Sequence, residues 1–393
     1  MAIPPRAHIL SLIRKQGTTS RAQLAKQTGL SRTTVSSVVN DLLEEGICRE
    51  IGLEPSNGGR PARMIALNPN ARYAVGVNIE GRTIRTGLVD LKASVPSFQE
   101  REIDCRNTRA MLDSVAAAIQ EVMSDTPREK VVGIGIGITG LVDSETGTVI
   151  VASHLGLSDF PFRRALAEAL PFPVPIIIDN DANAAALGER YYGAGRGFDN
   201  LVYIEFGTGI GAGIIIDGRI YAGAHGIAGE FGHIKLRKGG PKCACGARGC
   251  LEALAGGRAI VAEALRETNN SQRSAIWRLA DGDASKVTLR IILEAVAESD
   301  PLASKVLDMA IDYLGMGIAN LINLLDVEHI IIGGAGAYLP GSSLNLLRRS
   351  VLRGLLGNHL QNVAITPAGL GRNSVIIGAA TLALQRLGIA EPV

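Results

Sequence analysis

With 393 residues, 46% hydrophobic and 20% charged, the chain has apolar material for two or three packed domains, which excludes a disordered polymer. No apolar run reaches the roughly 18 residues of a membrane span, and Met1–His8 has no apolar core of secretory length, so a cytoplasmic protein with no membrane partner is expected. The net charge of +2 is unevenly divided: residues 1–70 carry nine Lys or Arg against five acids, and the remainder is slightly acidic, which directs the first segment toward an anionic polymer.

In chain order, Ile9, Leu10, Leu12 and Ile13 recur at helical spacing and predict a first helix ending near Gly17. Ser20 and Gln23 form a capping-box pair for a second helix that turns Ala22, Leu24 and Ala25 inward, and Gly29 supplies the left-handed turn after it. Ser31 caps a third helix with Val35, Val38, Leu42 and Leu43 as its buried stripe. Helix, glycine turn and helix form the helix-turn-helix pattern, whose second helix enters the major groove. Arg32, Thr33, Thr34, Ser36, Ser37 and Asn40 are therefore the expected base and phosphate contacts. A three-helix bundle with a merely solvated polar face is the competing reading. Against it stands the next segment, where strand-like runs 47–51 and 62–67 flank a Gly/Pro loop. That wing carries Arg60 and Arg63 on a thin cationic element suited to a minor groove. Asn68-Pro69 closes a winged helix-turn-helix domain over residues 1–70, with double-stranded DNA as its expected partner.

From Ala71 onward, strands are predicted at 73–79, 84–90, 131–138 and 176–179, with helices over 110–123 and 182–191. A hairpin follows at 201–206 and 214–218, long helices fill 258–326, and a late strand spans 330–334. Two successive α/β blocks imply a two-lobed body with a cleft. Gly135, Gly137 and Gly140 satisfy G-x-G-x-x-G, but they alternate inside an apolar strand instead of opening a helix, so the reading is close strand packing and not dinucleotide binding.

Five cysteines, three of them at 243, 245 and 250, make a poor disulfide framework and a good metal knuckle. With His233 they supply a closed Cys₃His set, the donors of a structural zinc. Glu230 and His233 are near in sequence, Glu252 follows the last cysteine, and Asp179-Asn180-Asp181-Ala-Asn183 crowds a strand-to-helix junction. A helix cap needs one such residue. Four in five suit bidentate hydrogen bonds to a polyhydroxylated ligand, and a carboxylate there could also act as base toward a hydroxyl.

In combination these residues resemble the ROK family of repressors, open reading frames and kinases, over nearly the whole chain. Gly207–Gly213 resembles the family's second phosphate loop, Gly229–His233 and Cys243–Glu252 its sugar and zinc signature, Asn180–Asn183 its catalytic-aspartate segment, and Gly333-Gly334 its adenosine-contacting glycines. The resemblance implies sugar contacts from Gly140, Asn180, Asp181, Glu230, His233 and Glu252, with Asp181 the base were the chain a kinase. It implies zinc on His233, Cys243, Cys245 and Cys250, the histidine binding metal through one nitrogen and facing sugar with the other side of its ring. It also implies an actin/hexokinase-like body: a small lobe over 71–184 plus 374–393, and a larger lobe over 185–373 with the zinc knuckle and oligomerisation helices. One departure is specific. Where family kinases carry an Asp-x-Gly-Gly-Thr loop, this chain reads Asn78-Ile-Glu-Gly-Arg-Thr83, with Asn78, Glu80 and Arg82 replacing the magnesium-nucleotide groups. ATP and Mg²⁺ are therefore not expected to bind. The expectation is a non-enzymatic, sugar-responsive repressor of carbohydrate uptake or utilisation genes. It would bind a palindromic operator as a homodimer or homotetramer, with a small sugar effector in the interlobe cleft. The alternative is an ATP-dependent sugar kinase of the ROK glucokinase type bearing an added DNA-binding head.

Overall fold

In the computed structural model the described residues are 4–54, 61–105, 107–268, 274–357 and 362–385. They form two compact units, Met1–Tyr191 with Val375–Val393, and Tyr192–Ser374.

The first unit opens with α1 (Pro5–Gln16), β1 (Thr18–Ser20), α2 (Arg21–Thr28), α3 (Arg32–Glu44), β2 (Cys48–Glu54) and β3 (Ala62–Leu67). The Ser20 and Gln23 capping box is present, Gly29 adopts φ 70°, and Ser31 accepts the Thr34 N–H. Local chemistry thus sets both ends of α2 and the start of α3. The wing is three-stranded, in the order β1-β3-β2, because Thr18–Ser20 pairs antiparallel with Met64–Ala66. Three residues are too few to show a period in sequence, so this strand escapes prediction. On α3 the buried side chains are Val35, Val39 and Leu42, while Val38 and Leu43 are half-buried. On α2, Leu24 is buried and Ala22 is exposed, contrary to expectation. An eight-residue helix held at its ends covers only one position fully.

The body of this unit contains β4 (Tyr73–Glu80), β5 (Thr83–Asp90), β6 (Ser97–Glu102), α4 (Thr108–Val122) and β7 (Val131–Ile138). After them come β8 (Leu141–Asp143), β9 (Thr148–Ala152), β10 (Leu157–Phe160), α5 (Phe162–Ala169), β11 (Ile176–Asn180) and α6 (Asp181–Tyr192). The main sheet runs β11-β7-β4-β5-β6, parallel across β11, β7 and β4 and antiparallel across β4, β5 and β6. Period-two alternation divides β7 cleanly. Ile134, Ile136 and Ile138 share a core with Met111, Val115 and Ile119 of α4 and Phe162 and Leu166 of α5.

The second unit contains β12 (Leu201–Phe206), β13 (Ile210–Ile216), β14 (Arg219–Ile220), α7 (Leu251–Ala255), α8 (Gly257–Thr268), α9 (Ala275–Leu279) and α10 (Leu289–Ala297). It continues through α11 (Pro301–Leu325), β15 (His329–Gly334), α12 (Gly341–Gly354) and β16 (Ala364–Pro367). Helix α13 (Ser374–Leu384), from Val375 onward, belongs to the first unit. The sheet order is β14-β13-β12-β15-β16, and its parallel and antiparallel pairings repeat those of the first unit. In each sheet the first strand is central, the next two extend antiparallel on one side, and the last two extend parallel on the other.

The glycines of β7 face α13. A Cβ on Gly135 would lie 1.7 Å from the Ala379 carbonyl oxygen, and one on Gly76 of β4 would lie 1.9 Å from that of Ile376. Close packing is therefore the role of these glycines, but between sheet and helix and not between strands. No described helix is long and apolar enough to cross a membrane.

Candidate functional sites

On α3, Arg32, Thr33, Ser37 and Asn40 are exposed and Thr34 and Ser36 half-buried; Thr33, Ser36, Ser37 and Asn40 fall on one helical face, away from Val35, Val39 and Leu42. The Ser31 hydroxyl lies 2.7 Å from the Thr33 hydroxyl and 2.8 Å from that of Thr34. Asn40 Oδ1 accepts from the Arg21 guanidinium at 2.8 Å, so the end of α3 is braced by the start of α2. Arg63 on the wing donates to Glu50 at 2.7 Å. Arg60 lies outside the described residues.

A second site forms where β7 and β11 end side by side. Their register pairs Ile138 with Asn180, which brings Thr139 and Gly140 beside the start of α6. Asn180 caps α6, its Oδ1 accepting the N–H groups of Ala182 at 2.8 Å and Asn183 at 3.3 Å, while its Nδ2 donates to the Gly140 carbonyl at 3.0 Å. Asp179 accepts from Asn183 Nδ2 at 2.9 Å and from the Asn180 N–H at 2.7 Å. Most of the polar crowding at this junction is thus internal wiring. Gly140 adopts φ 143° with the Val151 carbonyl oxygen 2.5 Å from where a Cβ would stand, so no other residue fits. Asp181 is different. Its Oδ2 accepts from the Thr139 hydroxyl at 2.5 Å, and burial pushes its carboxyl up to about 6, with Thr139 opposing and the Glu80 charge adding to the shift. A buried, protonation-poised carboxylate at the carboxyl end of parallel strands is chemically suited to hold a ligand or accept a proton.

The third site belongs to the second unit. His233, Cys243, Cys245 and Cys250 bring four donor atoms within 4.8 Å of one another, a set able to hold a metal ion. Cys243 Sγ lies 3.6 Å from His233 Nδ1, and Cys245 Sγ lies 3.7 Å from Cys250 Sγ. His233 Nε2, on the far side of the ring, lies 3.6 Å from Glu230 Oε2. Lys235 Nζ donates to Cys250 Sγ at 3.2 Å, placing a cation against the sulfur cluster. Glu252 bridges outward from the knuckle: Oε2 accepts the Ile210 N–H at 3.2 Å, and Oε1 lies 3.9 Å from Cys243 Sγ. The loop Gly207–Ile210 is also tied to α8, since the Gly257 N–H donates to the Gly207 carbonyl at 2.9 Å.

The resemblance assigns three segments to a nucleotide: Asn78–Thr83, Gly207–Gly213 and Gly333-Gly334. Asn78 is 4% exposed, and its Oδ1 has no hydrogen-bond partner among the described residues. Glu80 pairs with Arg85 at 2.8 Å, and Arg85 Nε lies 3.4 Å from Glu100. A magnesium nucleotide is held by a carboxylate where Asn78 stands and by no anion where Glu80 stands, so these two residues do not fit it. Against Gly333 and Gly334 lie Tyr203 and Glu205: hypothetical Cβ atoms would fall 1.9 Å from Tyr203 Oη and 2.1 Å from Glu205 Oε1. Tyr203 Oη donates to Glu205 Oε2 at 2.7 Å.

The ROK family model matches residues 74–386, and a winged helix-turn-helix DNA-binding model matches residues 7–47. The chain belongs to the ROK family. Within it, the chain is 29% identical over 379 residues to the Xylose repressor of Bacillus subtilis (strain 168), covering 96% of this chain and 94% of the relative. The structure of a ROK family transcriptional regulator, a homologue of the E. coli MLC protein, superposes with a TM-score of 0.83 at 27% identity, covering 98% of this chain and 96% of the other. A ROK family glucokinase from Streptomyces griseus, solved with glucose and AMPPNP, gives 0.74 at 32% identity, covering 80% of this chain and 99% of that enzyme. The ROK body therefore serves both regulators and kinases, and the winged head marks this chain with the regulators.

Four site residues escape sequence reading. Thr139 would follow from pairing the two predicted strands at their carboxyl ends. Arg21, Lys235 and Glu205 carry no positional signal, because each acts on a residue that only the fold brings near.

Proposed function

We propose that this ROK protein is a sugar-responsive transcriptional repressor of carbohydrate uptake or utilisation genes and that its body binds sugar without phosphorylating it. The observation that carries this reading is the join of a complete helix-turn-helix to a ROK body that has Asn78 and Glu80 in its first phosphate loop and Tyr203 and Glu205 close against Gly333 and Gly334. Asn180, Asp181, Glu230, His233 and Glu252 are the proposed sugar ligands, with Gly140 shaping the backbone beside Asn180. The likeness to the Xylose repressor makes D-xylose the first sugar to test. Arg32, Thr33, Thr34, Ser36, Ser37 and Asn40 are the proposed DNA contacts, with Arg63 on the wing. A palindromic operator requires at least a dimer, and Met309, Met316 and Leu324 leave an exposed apolar stripe along α11 for a second copy. A cytoplasmic location is proposed together with this action on DNA.

We assign zinc to the Cys₃His cluster. A tetrahedron with bonds of about 2.3 Å to sulfur and about 2.0–2.1 Å to nitrogen has S···S edges near 3.8 Å and S···N edges near 3.5 Å. The distances of 3.7 and 3.6 Å agree with those edges. All four positions are protein donors, so the metal's contribution is structural.

A kinase reading keeps two supports, Asp181 and the Gly207–Gly213 loop. A coupled assay for sugar-dependent ADP formation separates the two. The repressor reading predicts none above background, whereas turnover abolished by Asp181→Asn would replace it with the kinase.

A further inference from the structure

We propose that Tyr191 and Arg14 form a joint through which α6 sets the orientation of the DNA-binding head, relaying the state of Asp181 to the recognition helix. This rests on the sugar-responsive reading above and adds how the signal travels.

The head is held to the body of its unit by a pinned connector. Asn68 donates from its backbone to the Ile47 carbonyl at 2.8 Å and from Nδ2 to the Gly46 carbonyl at 3.0 Å, while the Leu91 N–H reaches the Pro69 carbonyl at 3.2 Å. A further attachment is made by side chains: the Arg14 guanidinium, in the last turn of α1, lies over the Tyr191 ring at 4.5 Å from its centroid. Arg190 lies over the same ring at 5.0 Å, and Tyr191 itself is only 8% exposed. A desolvated aromatic face attracts a cation most strongly.

Tyr191 lies in the last turn of the helix that Asp181 begins. Over its 12 residues α6 spans about 18 Å, and Asp181 to Glu189 are all buried. Helix α13 clamps it so closely that a Cβ on Gly378 would stand 1.6 Å from the Ala184 carbonyl oxygen. Such a helix moves as a rod, not by bending. Its first turn carries the Asp181 carboxylate on Thr139 and the Asn180 cap on Gly140. Its far end meets α1, and α1 packs on α3 with Ile9, Leu10 and Ile13 buried on one helix and Val35, Val39 and Leu42 on the other. A ligand that repositions the start of α6 therefore displaces the Tyr191 ring under Arg14 and changes the angle at which α3 is presented.

The test uses full-length protein, a duplex selected by the wild type from a randomised pool, and D-xylose as probe. Arg14→Met and Tyr191→Leu should keep the D-xylose-induced thermal stabilisation while the sugar-induced change in duplex affinity falls below twofold. Tyr191→Phe, which keeps the aromatic face, should respond as the wild type does. Full wild-type response in Tyr191→Leu would overturn the joint. Should D-xylose leave wild-type duplex binding unchanged, the effector reading fails for that sugar, and a double-mutant cycle on duplex affinity without sugar decides the joint. Non-additivity of about two- to fivefold between Arg14→Met and Tyr191→Leu supports it, and additive effects reject it.

Discussion

Asp181 places an ionisable group where folding disfavours its charge. Burial raises its carboxyl from an unfolded value near 3.9 to about 6, a shift that the Glu80 charge increases and the Thr139 hydroxyl opposes. For a raised carboxyl the sign is fixed: its full stability contribution is present below about pH 3.9 and is lost as pH rises through 6. Asp181→Asn keeps an acceptor for Thr139 and removes the titration. Its stability relative to wild type should therefore grow between pH 4 and pH 7.5 by roughly 1–3 kcal/mol, read from urea melts of the sugar-free protein. A difference that stays constant with pH would refute the placement of this carboxylate. A carboxylate that costs stability fits the ligand role proposed for Asp181, whereas Asp179 beside it holds Asn180 and Asn183 in position.

Helix α13 and strand β7 show what packing asks of a sequence. Gly135→Ala drives a methyl group into the Ala379 carbonyl oxygen, and we expect a loss of about 3 kcal/mol or more in denaturant melts with the secondary structure retained until unfolding. A neutral substitution would mean that helix and sheet are not in contact there. The alternation of glycine and isoleucine in β7 was legible as a strand, but the partner of its glycine face was not, because α13 lies more than 200 residues away and its small, uniformly apolar residues show no amphipathic period. The same limit hid the β8-β9-β10 sheet, whose strands are three to five residues long. The caps at Ser20 and Ser31 and the cysteine knuckle were legible because their chemistry is local. For the knuckle, we expect one zinc per chain by metal analysis and a fall in melting temperature when a strong chelator removes it. Cys250→Ser should reproduce that fall and be insensitive to the chelator. Metal-free protein that melts unchanged would contradict a structural zinc.

At the scale of the molecule, two sheets of the same strand order carry a body that other ROK proteins use for catalysis, and a winged head precedes it. The repeated order was not visible in sequence, since the two blocks share topology without a shared period of residues. The altered loop at Asn78, Glu80 and Arg82 was visible, but Tyr203 and Glu205 against the double glycine were not, because strand pairing alone brings β12 beside β15. The central claim is that sugar binding changes DNA binding. Fluorescence anisotropy of a wild-type-selected duplex, titrated in fixed salt with and without D-xylose and a panel of monosaccharides, tests it most directly. One of these sugars should weaken duplex binding at least tenfold with no ADP formed in the presence of ATP. Salt-dependent duplex binding that no sugar in the panel changes would contradict it.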